Sequence, residues 1–143
     1  MTVSVAALGL LTACGGATGD THPCTLKDAP AGIGVKVHPE LAGRTADATL
    51  TACWDGTCRK RTLRLRESGP DGPVAWPGFA LVRDLPAKPV RVTLVFKNPR
   101  GTTVLDRRVT VTPKPTYPNG PDCSPAGNQA RLTVTEEGAL IPR

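Results

Sequence analysis

Aromatic side chains are nearly missing from this sequence, which holds two Trp, two Phe and one Tyr in 143 residues. A core must therefore be assembled from Val, Leu and Ala, and stacking platforms for bases are scarce. Histidine is almost as rare, with only His22 and His38, so a metal site or His-based acid–base chemistry has few residues to draw on. Helical periodicity is missing over any useful length. The apolar run from Val3 to Leu11 stops well short of the roughly 20 residues that span a bilayer as a helix. Acidic residues are scattered singly, apart from Glu136-Glu137, so no facing pair suited to glycoside hydrolysis stands out. Asn119-Gly120-Pro121 and Gly15-Gly16 lack the spacing and strand–helix context of a phosphate loop. At this length the chain fits one domain. These absences exclude a multidomain enzyme, a polytopic membrane protein, a coiled coil and a collagen-like chain.

Punctuation is plentiful by contrast, with fifteen Gly and fifteen Pro bounding short β-branched runs. Strands are expected at Ile33–Val37, Ala48–Ala52, Arg59–Arg66, Phe79–Val82, Val90–Lys97, Thr103–Thr112, Arg131–Thr135 and Ala139–Ile141. The fifth is the clearest, since Val90, Val92, Leu94 and Phe96 alternate with Arg91, Thr93, Val95 and Lys97. Asn98-Pro99-Arg100-Gly101 has the residues of a type I turn. Seven or eight short strands with brief turns predict an all-β fold over residues 23–143, an antiparallel two-sheet sandwich. The phrase Gly78-Phe79-x-Leu81 leading to Leu85-Pro86 and a Val-rich strand resembles a prealbumin-like or immunoglobulin-like repeat of extracellular bacterial proteins.

The tetrad Leu11-Thr12-Ala13-Cys14 follows the apolar run and resembles the lipobox of bacterial lipoproteins. That resemblance implies a signal peptide over 1–13, diacylation of the Cys14 thiol, and a membrane anchor. Two acyl chains hold a protein on a bilayer where one does not, each buried CH2 contributing about 0.8 kcal/mol. Residues 1–13 depart from the pattern in carrying no Lys or Arg. Gly15 to Thr21 is small and polar, so 14–22 reads as a flexible tether. With its Ala, Gly, Pro, Arg, Thr and Val content, the whole chain resembles small lipoproteins of actinobacterial type, which implies an extracytoplasmic place in the cell envelope and no particular activity.

Four cysteines remain, an even number that suggests two disulfides outside the cytoplasm. In Cys53-Trp54-Asp55-Gly56-Thr57-Cys58, Asp55-Gly56 suits a two-residue type I′ turn. Cys53 and Cys58 then face each other as a non-hydrogen-bonded pair, within disulfide reach. Cys24 and Cys123 are left to close a loop of about 100 residues, contributing about 4.7 kcal/mol on chain-entropy grounds. Zinc or redox chemistry at Cys-x4-Cys is the weaker reading, because paired zinc ligands need two further partners and redox pairs favour Cys-x-x-Cys. The same turn places Leu50 opposite Arg61 and Ala52 opposite Arg59 on one face. Apolar and cationic residues sharing a face calls for a bulge around Lys60–Thr62 or a tip projecting beyond the core.

Candidate sites are few. Ser68 and Ser124 sit in loops and His38 at a strand end, too sparse for a nucleophilic constellation, so no catalytic residue, metal or cofactor is assigned. The basic run Arg59, Lys60, Arg61, Arg64 and Arg66 suits anionic headgroups or wall polymers, or serves as a charged edge that discourages strand pairing. Export argues against nucleic acid as its partner. Trp54, Trp76 and Tyr117 are the aromatics available for a sugar platform. The Pro-rich stretch 113–127 reads as a strap between sheets or as a stiff recognition loop. The expected function is a lipid-anchored, non-catalytic binding or structural module of the envelope that docks a protein or polymer. The alternative is an inhibitor-like module presenting the 113–127 loop or the Cys53–Cys58 tip to an extracellular hydrolase.

Overall fold

The structure is a computed structural model that describes residues 23–68 and 75–143. Cys14, the lipobox, the signal and the tether lie outside those residues. The described part holds nine strands, seven of them six residues or longer, and one short helix. They are β1 (Gly32–Val37), α1 (Pro39–Gly43), β2 (Asp47–Trp54), β3 (Thr57–Thr62), β4 (Trp76–Leu81), β5 (Val90–Lys97), β6 (Thr103–Val111), β7 (Lys114–Pro115), β8 (Asn128–Val134) and β9 (Leu140–Pro142).

Two sheets face each other. One runs β4-β1-β8, with β7 and β9 both paired to β8, and the other runs β3-β2-β5-β6. All pairings are antiparallel except β1 with β8, which is parallel from Gly32↔Gln129 to Val37↔Val134. The sandwich is therefore the expected one with a single parallel pair added. An immunoglobulin sandwich keeps its second and fifth strands in the sheet of its first and fourth. Here β2 and β5 lie with β3 and β6 instead, so the strands are not divided between the sheets as in an immunoglobulin domain.

Alternation explains the core. Val90, Val92, Leu94 and Phe96 are all fully buried, and they meet Ile33, Val35, Val37, Leu132 and Val134 from the opposite sheet. No charged or polar residue is buried among the described residues. The short helix α1, unforeseen in the sequence, carries the chain from one sheet to the other. Pro39 occupies its first turn, His38 Nδ1 accepts from Glu40 N at 3.4 Å, and Leu41 and Ala42 close that end of the core. Proline suits this position because its missing N–H would be unpaired there anyway.

Both disulfides form as expected. Cys53 pairs with Cys58 across the hairpin, their Cα atoms 4.1 Å apart, and Cys24 pairs with Cys123 at 5.8 Å. The turn between the first pair has Asp55 at φ 47° and Gly56 at φ 74°, both left-handed as type I′ requires.

The expected bulge at Lys60–Thr62 is absent. Register runs unbroken from Thr49↔Thr62 to Trp54↔Thr57, and Leu50↔Arg61 and Ala52↔Arg59 are indeed partners. The conflict is resolved by tertiary position: β3 is an edge strand, so its inward side chains overlie the open side of the sandwich. Arg61 Nε donates to the Leu81 carbonyl at 2.9 Å and Arg59 reaches Asp84, both across in the other sheet's half. The third expected strand is also shorter than read. Leu63 N still donates to Ala48 O of β2 at 2.8 Å, but beyond it the chain crosses over, and Arg66 N donates to Pro77 O of β4.

Candidate functional site

The basic run is the strongest cluster of one charge in the sequence, and the fold divides it. Arg59 Nη2 lies 2.7 Å from Asp84 Oδ2, its Nε 3.1 Å from the same oxygen. Its guanidinium also sits 5.9 Å from the Trp54 ring centroid, within cation–π range. The Arg59 hydrogen bond, above all, holds the Asp84 carboxyl below its ordinary range; desolvation opposes it, and the backbone and the Arg59 and Arg61 charges reinforce it. Arg61 is spent on Leu81 O and on Lys60 O, 2.8 Å away. Lys60, Arg64 and Arg66 stay exposed, with Lys60 on β3 and the other two beyond its end. The run is thus two structural arginines and three outward cations, not one continuous charged strand.

The aromatics do not gather. Trp54 stands beside the Asp55-Gly56 turn, packed on the core, whereas Trp76 pairs with Val37 at the far end and lines a recess with Ala42, Ala48 and Leu63. Ala48 and Trp54 are six residues apart on one strand, which is roughly 20 Å. Tyr117 is half exposed in the segment between β7 and β8. Three rings at separate places make no shared sugar platform.

The Pro-rich stretch is a strap. It leaves β6 in one sheet and enters β8 in the other, and Pro113 and Cys123 are buried along it. Asn119 Oδ1 accepts from Lys27 N at 3.0 Å while its Nδ2 donates to Lys27 O at 3.0 Å, so the strap and the N-terminal segment are bonded beside the Cys24–Cys123 bridge. The hairpin tip is tied as well, Lys88 forming an ion pair with Asp55.

Among the described residues no hydrogen bond links His38 to Ser68 or Ser124. His38 caps α1 and stands 3.9 Å from Glu136, and Ser68 donates to Ala75 O at 2.5 Å. No group of three or more His, Cys, Asp or Glu among the described residues is placed to hold a metal ion. No helix among them is long and apolar enough to cross a membrane.

No protein-family model matches the chain, and no curated protein matches it. Among solved structures it is similar to a leucine-rich repeat protein from Bacteroides thetaiotaomicron, at 12% identity and a TM-score of 0.43. The alignment covers 74% of this chain and spans 12% of that protein's length.

Phe79 and Leu81, read from the sequence only as members of a strand, face outward. They are 41% and 39% exposed, and Ile141 on β9 is 41% exposed. The sequence carries one signal for this surface, visible once the strands are sorted: β1, β4, β7, β8 and β9 contain no Asp or Glu.

Proposed function

We propose that this protein is a lipid-anchored, extracytoplasmic β-sandwich that acts as a non-catalytic binding module of the cell envelope. The observation that carries the reading is the pairing of all four cysteines of the described residues into two disulfides. Such pairing belongs to an oxidising compartment. The lipobox-like Leu11-Thr12-Ala13-Cys14 supplies the anchor in this reading, and the partner is an envelope protein. Bonding of the 113–127 strap to the N-terminal segment favours support over presentation of that loop, which weighs against the inhibitor-like alternative.

Fatty-acid labelling in a bacterial host tests the proposal. The intact chain is expected to take up label and fractionate with membranes, and Cys14→Ser to lose both. A product that stays in the cytosol with five reactive thiols overturns it.

A further inference from the structure

The outward face of the β4-β1-β8 sheet forms three cross-strand rows. Leu81, Gly32 and Gln129 make the first, Phe79, Gly34 and Arg131 the second, and Pro77, Lys36 and Thr133 the third. β4 therefore offers an apolar rail and β8 a polar, basic one. β1 between them has two glycines on this face, Gly32 covered by the Phe79 ring and Gly34 left open. Where Pro77 and Gly78 of β4 face Arg131 and Thr133 of β8, a shallow trough of about 520 Å³ is floored at Gly34, with Lys36, Arg131 and Arg143 on its rim; Phe79 and Leu81 lie beyond it.

The two glycines are there for different reasons. A Cβ on Gly32 would sit 2.4 Å from Ala80 O and 2.5 Å from the Phe79 ring, so glycine is imposed by packing. A Cβ on Gly34 would meet nothing nearer than 3.9 Å, and the residue is not among those with positive φ. Glycine inside a strand costs roughly 0.5–1 kcal/mol against alanine, and neither sterics nor backbone conformation demands it here. A glycine inside a strand marks a bulge, a tight bend or the close approach of a ligand or another backbone, and the register of β1 runs unbroken through Gly34 on both sides.

We propose that this trough is a docking site for an extended, acidic segment of a partner protein, laid along β1 with an apolar side chain over Gly34. Charge supports an acidic partner over Gly34, since the five strands of the sheet carry Lys36, Lys114 and Arg131 and no acidic side chain, and the trough lining holds none either; Glu136 and Glu137 line the adjoining recess past Lys36 and Thr133. Arginine offers a planar fork that suits carboxylates, and Arg143 Nε is steadied 3.4 Å from Thr133 Oγ1. Phe79, Leu81 and Ile141 do not line the trough but lie exposed beside it, and extend it with the apolar area that interface cores favour. A bilayer fits less well: its usual anchors project into it, whereas the Phe79 ring lies down across Gly32.

This inference rests on the reading of the chain as a binding module and is independent of Cys14 acylation. Its test is panning of a displayed random-decapeptide library on the intact, oxidised protein. Enriched sequences are expected to pair an aliphatic or aromatic residue with Asp or Glu. Their affinity should fall by at least about tenfold for Arg131→Glu and for Gly34→Val, as loss of a central contact does. Gly34→Val is expected to melt as the parent does, and Arg108→Glu, exposed on β6 in the other sheet, to bind as the parent does. Absence of enrichment, enrichment of non-acidic sequences, or equal binding by both trough variants overturns the proposal. So does saturable binding to phosphatidylglycerol vesicles that exceeds peptide binding and ignores Gly34→Val. Failure of Cys14→Ser to change fractionation would touch the envelope reading alone.

Discussion

Arg61 Nε donates to the carbonyl oxygen of Leu81 at 2.9 Å, joining the edge strand of one sheet to the edge strand of the other. The opposite open side repeats the device, with Arg107 of β6 donating to Gly138 O at 3.1 Å. Inward-pointing cations on edge strands discourage pairing with a second chain, and these also satisfy backbone acceptors of the facing sheet. Arg61→Ala is expected to cost about 1 kcal/mol in denaturant unfolding. It should also raise the tendency to self-associate, checked by sedimentation at increasing concentration. Unchanged stability and unchanged association would show the bond to be incidental.

The Arg59–Asp84 pair makes stability depend on acid. Asp84 titrates below its ordinary value in the folded protein, chiefly through the Arg59 hydrogen bond. Its contribution is therefore complete above the unfolded carboxylate pKa and is lost as pH falls through the lowered folded value. The difference in urea midpoint between parent and Asp84→Asn should be present near pH 6 and shrink toward about pH 3. A difference that grows on acidification contradicts the assignment.

The two disulfides should differ in weight. The chain between Cys24 and Cys123 spans 99 positions and that between Cys53 and Cys58 only 5. Loop-closure entropy assigns up to about 4.7 kcal/mol to the first and roughly 2 to the second. Thermal melts of the two Cys-to-Ser double variants are expected to rank accordingly. A hairpin variant that melts lower than the long-loop variant would reverse the order.

Glycine substitutions on β1 give a paired contrast. Gly34→Ala is expected to be neutral or to stabilise by about 0.5 kcal/mol, because a strand glycine is replaced without a clash. Gly32→Ala should destabilise by roughly 1–3 kcal/mol, since its methyl group must displace Ala80 O or the Phe79 ring. Equal melting temperatures for the two variants would remove the packing distinction.

Truncating Phe96, the largest fully buried side chain, is expected to cost about 3–5 kcal/mol as Phe96→Ala. A loss under 1 kcal/mol would mean that the surrounding Val and Leu residues collapse into the cavity.

Local chemistry settled a good part of this protein before any fold was known. The alternation of Val90 to Lys97 made β5 legible, because side chains on a strand must choose faces in turn. Asp55-Gly56 set the hairpin register, because few residues tolerate two successive left-handed positions, and the register in turn brought Cys53 to Cys58. What remained open depended on contacts distant in sequence. The partnership of β1 with β8 joins residues nearly a hundred positions apart, and no local pattern encodes it. The inward placement of Arg59 and Arg61 is a register conflict along the chain, resolved only because β4 supplies Leu81 O and the turn after it supplies Asp84 as partners. The helix at Pro39 did have a local signal, a capping residue followed by proline, but it is too short to show periodicity. The trough at Gly34 had none, since an empty place on a surface exists only when three strands from separate parts of the chain lie side by side. Turns and alternation are decided by neighbours along the chain, whereas the closed edges and the shape of the outer face are decided by which strands share a sheet.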